Sequence, residues 1–298
     1  MKEQTTSKTI LLAGASGYLG RYIAKELACR KIPATLLVRN PEKVSFPAQW
    51  GHCVRRAKAT DPAMLLGTME GVDTVISTLG ITRQKDGLTY WEVDYQANMN
   101  LLDEARRAGV RKFVYVAVLN GNAHRHVKIL EAKEAFVDAL KKSGLAYTII
   151  RPNGFFSDMK DFLQMAEKGR VYLFGDGRQK FNPIHGEDLA NVCVEAITGK
   201  QLEVNVGGPD ILTHNEVAIM ALQACQVSGK IVHIPHWVRK GTIIALRAFT
   251  GVKTYGPYEF FMTMMAEDAI APRYGSHRLA TFFQREADQI TRDNAQRP

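Results

Sequence analysis

Cysteine is scarce: Cys29, Cys53, Cys193 and Cys225 are the only four in 298 residues, and no two form a C-x-x-C pair. That spacing excludes the usual thiolate metal sites and dithiol chemistry, so no metal is expected and the thiols read as reduced, buried spacers. No apolar run reaches the roughly 20 residues that a membrane-spanning helix needs. Low-complexity blocks are also missing, which confines expected disorder to Met1–Ser7 and about the last ten residues. The opening Met-Lys-Glu-Gln-Thr-Thr-Ser-Lys is polar and leads straight into an apolar strand. It leaves no room for a signal peptide, so cytoplasmic residence is the expectation.

Acidic residues are outnumbered, 30 against 39 basic ones, for a net charge of +9. The basic residues are spread along the chain and no nucleic-acid-binding module accompanies them, so an anionic small ligand is the more economical partner. With 46% hydrophobic residues the chain is long enough for one large α/β domain or a core with a smaller lobe.

Short β-branched runs alternate with helical patterns through the first half, the form of a parallel sheet with crossover helices. Strands are expected at Thr9–Ala13, Ala34–Val38, Cys53–Ala57, Thr74–Thr78, Phe113–Val118 and Ala146–Ile150. Helices are expected over Tyr18–Arg30, from a capped start at Asp61-Pro62, over 92–108 ended by Gly109, and over Glu131–Ser143 ended by Gly144. The fold class is α/β, a doubly wound parallel sheet over residues 8–150, with 151–298 forming a substrate lobe and C-terminal helices packed on it. Within that second part the pattern marks helices near 187–198 and 214–227, a strand at Glu203–Val206, and apolar pieces at Thr242–Ala248 and Tyr258–Met265.

The first strand runs into Gly14-Ala-Ser16-Gly17-Tyr18-Leu19-Gly20. A glycine turn between a strand and a helix lets the backbone approach a pyrophosphate, which the helix N–H groups then bind. The bland reading is a purely structural turn. The second strand ends Val38-Arg39-Asn40, where an NAD binder would carry an acid that accepts from the ribose 2'-hydroxyl. Arg39 can fork onto a 2'-phosphate and Lys43 follows one turn later, so NADP(H) is favoured over NAD(H). A solvated Arg39 is the alternative.

These motifs, with Thr60-Asp61-Pro62, Val72-Asp-Thr-Val-Ile76, Gly109-Val-Arg-Lys-Phe-Val114 and Tyr147-Thr-Ile-Ile-Arg-Pro152, resemble the atypical short-chain dehydrogenase/reductases. Among them the chain looks most like the NmrA-like and divinyl chlorophyllide reductase-like group, over roughly residues 8 to 234. Asn182-Pro-Ile-His185, Asp188-Leu-Ala190 and Gly207-Gly-Pro209 extend the likeness. The resemblance implies a Rossmann fold; ordinary short-chain dehydrogenases carry a Tyr-x-x-x-Lys pair, but here that segment is Ile129-Leu-Glu-Ala-Lys133, and the resembled atypical group shares the loss. The companion serine is missing too, since the fifth strand ends Val116-Ala117-Val118. Lys133 then reads as a ribose ligand, a general acid or a surface lysine. Where the family carries an Asp near the adenine, Lys58 stands instead, able to add its charge to that of Arg39.

Ligands in such sheets sit beyond the carboxyl ends of the strands. Leu79, Gly80, Asn153 and Phe155 are therefore cofactor candidates, and Asn120, Phe155 and Phe156 substrate candidates, with two core phenylalanines as the alternative. His185 is a second candidate proton donor beside Lys133, or else a structural residue. The C-terminal apolar pieces are read as lid or core, with a subunit interface or peripheral membrane contact on their basic flanks (Arg239, Lys240, Arg247, Lys253) as alternatives. Two functions remain: NADPH-dependent reduction of a small apolar substrate, or a non-catalytic NADP(H)-binding redox sensor or assembly factor.

Overall fold

The computed structural model describes residues 9–295 except 83, 85 and 86. The chain forms two compact units. One comprises the chain through Arg151 together with Leu189–Val204, the other Pro152–Asp188 together with the chain from Asn205 onward. The stretch read as one piece over 151–298 is thus divided between them.

The first unit is built on a parallel sheet. The strands of the sheet are β1 (Ile10–Ala13), β2 (Ala34–Val38), β3 (Cys53–Arg56), β4 (Thr74–Ser77), β5 (Lys112–Val116), β6 (Ala146–Pro152) and β9 (Glu203–Val206), in spatial order 3-2-1-4-5-6-9, with Pro152 and Asn205–Val206 counted in the second unit. Ile10 is level with Ala34 on one side and Thr74 on the other. Strand order therefore reverses between β1 and β4, which opens a crevice beyond their carboxyl ends. All four residues of β1 and all four of β4 are buried, which is why both read as short apolar runs rather than alternating ones.

Helix α1 (Tyr18–Cys29) buries Leu19, Ile23, Ala24 and Leu27, a stripe at helical spacing. Helix α2 (Ala97–Arg107) is entered through a wide π-type turn, Trp91–Gln96, and α3 spans Lys128–Lys141. Gly109 and Gly144 take the left-handed conformations expected after α2 and α3. Between β3 and β4 the expected helix is instead a single 3-10 turn, Pro62–Met64. Asp61 caps it, accepting from the Ala63 N–H at 3.1 Å. Left-handed Gly67 follows too soon for a longer helix to nucleate.

The second unit contains α4 (Lys160–Glu167), β7 (Arg170–Phe174), β8 (Lys180–Phe181), β10 (Leu212–Thr213), α6 (His214–Ala224), β11 (Lys230–Ile234), α7 (His236–Phe249), α8 (Val252–Met264) and α9 (Leu279–Ala295). Helix α5 (Gly186–Glu195) begins in this unit and ends in the first. Two small sheets, β10–β8 and β11–β7, and a core of Phe156, Phe162, Leu163, Val217 and Phe283 hold it together. No described helix is long and apolar enough to cross a membrane.

Candidate functional site

Gly14 leaves β1 with a φ of +84°, a conformation open to glycine. The Gly17 N–H donates to Gly14 O at 3.0 Å, which closes the turn onto α1. A methyl group at Gly20 would lie 2.1 Å from Gly14 O, so the first turn of α1 packs directly on the loop backbone. The first turn of α1 carries no acidic side chain and no side-chain cap, so nothing within the helix offsets the positive end of its dipole. A cradle of bare backbone beneath a helix N-terminus fits a dinucleotide pyrophosphate. Within it Ser16 is exposed and Tyr18 half-buried, but the Leu19 side chain points into the core. Only the Leu19 backbone is therefore placed for the cofactor role read from the sequence.

Arg39 follows β2 directly and is exposed, as are Lys43 and, past the end of β3, Lys58. Val38 lies level with Arg56, so Arg39 and Lys58 leave neighbouring strands at the same sheet edge. The nearby carboxylate of Glu42 is held by Arg56 at 2.7 Å. Lys43 ends a 3-10 turn, Pro41–Lys43.

Beyond β4, Gly80 sits on a buried ion pair. A Cβ there would meet Lys133 Nζ at 2.5 Å and Asp94 Oδ1 at 2.7 Å, while those two atoms lie 2.8 Å apart. Lys133 comes from α3, where Ile129, Leu130, Phe136 and Val137 form the buried stripe. Asp94 comes from the wide turn before α2, and its Oδ2 accepts from the Ile81 N–H at 3.3 Å. The Tyr115 ring lies beneath, its centre 5.7 Å from Nζ and its hydroxyl buried. Burial pushes the Tyr115 hydroxyl up to about 12. For Lys133, burial works towards the neutral amine, but the facing carboxylate outweighs it and raises the pKa above the ordinary lysine range. Lys133 is thus a fixed cation and a poor proton donor near neutral pH. Ile129, at the tyrosine position, is buried.

Asn120, after β5, is exposed with a left-handed φ of 56°. Glu134, Arg151 and Glu203 brace this part of the unit. Arg151 donates to both Glu134 oxygens, at 2.6 and 3.0 Å, and to Glu203 at 2.9 Å.

In the second unit several expectations change. Asn153, read as a cofactor ligand, commits its side chain to Asn182, the Ala269 carbonyl and the Gly154 N–H, so it pins its loop instead. Phe156, read as a substrate wall, is a core residue 1% exposed against Phe282, with Phe155 half-buried beside it. His185 stacks on His277 with ring centres 4.3 Å apart, and its Nδ1 accepts from the Glu187 N–H. Burial first, and then His277, hold its pKa below the ordinary histidine value. It is therefore neutral at pH 7 and ill-suited as a proton donor. His185, Glu187 and His277 bring one ligand atom each within 4.8 Å of one another. The near-parallel rings, 20° apart, direct their in-plane lone pairs side by side rather than towards a shared ion. A depression of about 550 Å³ lined by Gly175, Asp176, Arg178, Asn215, His233 and Pro235 includes none of the residues singled out from the sequence.

Comparison with known proteins agrees with the cradle. A photosystem II assembly factor from Cyanophora paradoxa is 31% identical over 51% of this chain, a match spanning 47% of that protein, so the chain aligns with about half of that relative's length. The chloroplastic divinyl chlorophyllide a 8-vinyl-reductase of Oryza sativa is 26% identical over 93% of this chain and 78% of its own. In fold, an NADPH-dependent quinone oxidoreductase of Escherichia coli, crystallised with NADPH, matches 95% of this chain and 99% of its own with a TM-score of 0.72 at 17% identity. Residues 14–200, from the first cradle glycine past the lysine helix, match the model of a family described as NAD(P)H-binding, and the chain belongs to that family.

Proposed function

We propose that the protein is a cytoplasmic NADPH-dependent reductase of a small apolar substrate. The observation that carries the reading is the Lys133–Asp94 pair beneath Gly80, at the carboxyl end of the strand beside the glycine cradle. The bound cofactor, in its reduced form, supplies a hydride. Gly14, Gly17 and Gly20 admit its pyrophosphate and the α1 N-terminus balances the negative charge. Arg39, with Lys58, favours the 2'-phosphate of NADP(H) over a bare ribose hydroxyl. Lys133 holds the nicotinamide ribose as a permanent cation, oriented by Asp94. Of the two candidate acids, Lys133 is a paired cation and His185 is neutral, so the proton is drawn from water. Asn120, in the same unit, is the candidate for the substrate side.

A second reading, a non-catalytic NADP(H)-dependent sensor or assembly factor, is favoured by buried Ile129 and neutral His185, and by the likeness to an assembly factor. The purified protein separates the two when NADPH fluorescence is titrated and NADPH decay is then followed with a panel of enones and quinones. Turnover that Lys133→Ala abolishes and Lys133→Arg partly restores supports the reductase. Tight binding with no decay on any acceptor supports the second reading.

A further inference from the structure

Not one residue of α7 is buried. Its outer face instead carries Trp237, Gly241, Ile244 and Ala248, spaced four, three and four residues apart and all exposed, so they form one continuous stripe. Trp237 is 75% exposed, Ile244 68%, and Phe249 at the helix end 87%. Tyr258 on α8 is 59% exposed. An isolated exposed apolar residue needs no explanation, but four large ones on one helical pair do.

The exposed charges on the two helices themselves have one sign. Lys240 and Lys253 are exposed. Arg239 reaches the Met262 carbonyl at 3.0 Å and Arg247 pairs with Glu259, which ties α7 to α8. Glu259 is the one acid between His236 and Met264, and it is 2% exposed. The outside of the pair is therefore apolar and cationic with no exposed acid; Glu267 and Asp268 come only after it. A tryptophan and aliphatic stripe bordered by lysines is the composition that lies in a bilayer interface, with rings at the headgroup level and ammonium groups on lipid phosphates. A partner protein or a second copy of this chain would need an acidic rim, which a copy of this same surface does not supply.

We propose that the α7–α8 pair seats the protein on the surface of an anionic lipid bilayer, with Trp237 and Ile244 entering the headgroup boundary and Lys240 and Lys253 drawn to lipid phosphate. The full chain is tested by co-sedimentation with phosphatidylcholine vesicles with and without phosphatidylglycerol. Binding to the anionic vesicles alone is expected. It should fall about tenfold or more in Trp237→Ala/Ile244→Ala and in Lys240→Glu/Lys253→Glu, since each lysine near the surface adds to the attraction. NADPH titration of the same variants should match the parent, which shows that they are folded. Four results overturn the proposal: no binding to either kind of vesicle, equal binding to neutral vesicles, binding that neither variant weakens, or a concentration-dependent dimer without vesicles that Trp237→Ala/Ile244→Ala dissociates. None of them bears on the cofactor reading, which rests on the first unit.

Discussion

Asp94 and Lys133 meet at 2.8 Å in the first unit, the carboxylate fully buried and the lysine side chain 10% exposed. The contact gives the retained lysine a defined charge and direction, and it makes each partner dependent on the other. A buried ion paired in this way gains less from the attraction than it loses when its partner is removed. Asp94→Asn should therefore destabilise the protein by about 3–5 kcal/mol, read as a lowered urea midpoint with unchanged slope. Asp94→Asn/Lys133→Met should recover most of that loss. A change below about 1 kcal/mol for the single variant would mean that Lys133 reaches water.

Gly20→Ala tests the cradle. The added methyl meets the Gly14 carbonyl oxygen at 2.1 Å, and that neighbour is backbone with no flexible end to yield. NADPH affinity should drop at least about tenfold, because the loop must shift away from the pyrophosphate. Gly241→Ala on α7 is the contrast: its Cβ meets nothing within 4 Å. That variant should leave NADPH affinity alone and add up to about 1 kcal/mol through helix propensity.

Arg39→Ala tests cofactor choice. Loss of a guanidinium fork on a 2'-phosphate should weaken NADPH binding about 10- to 100-fold and leave NADH nearly unchanged. Fluorescence titration with both cofactors reads the ratio directly. Equal losses for the two would show that Arg39 serves the adenine or the fold rather than the phosphate.

These residues differ in how plainly the sequence announced them. The glycine loop was legible because its shape depends on local backbone, and the exposed place of Arg39 could be read from the end of one strand. Asp94 was missed, although a trace existed: it shares a helical face with Asn98, Leu101 and Ala105, all buried, and a carboxylate on such a face needs a partner. The partner lies 39 positions away in sequence on α3, a pairing that only tertiary packing creates. The adjacent Phe155 and Phe156 could not both line a pocket, since the loop turns one of them into the core. Asn153 looked free to bind a ligand only because Ala269, its carbonyl partner, is 116 positions on.

His214 provides a pH test in the second unit. It opens α6 after the Thr213–Glu216 capping box, is 3% exposed, and packs edge-on against Phe181 at 4.9 Å. Burial lowers its pKa from 6.5 to about 4, and a helix N-terminus is a poor place for an added positive charge. A folded-state pKa below the unfolded one means that the unfolded chain binds the proton first. The stability from neutral His214 is therefore complete above about pH 6.5 and is lost as the pH falls towards 4, by up to roughly 3 kcal/mol. His185, also lowered, adds to the same slope. Other groups titrate in this window, so the informative quantity is a difference: urea midpoints of the parent and of His214→Leu, measured from about pH 7 to 4.5. The parent should lose stability more steeply than the variant. Parallel curves would mean that the imidazole takes up its proton in place, with Asp268, whose charge favours the protonated ring, as the group to remove next.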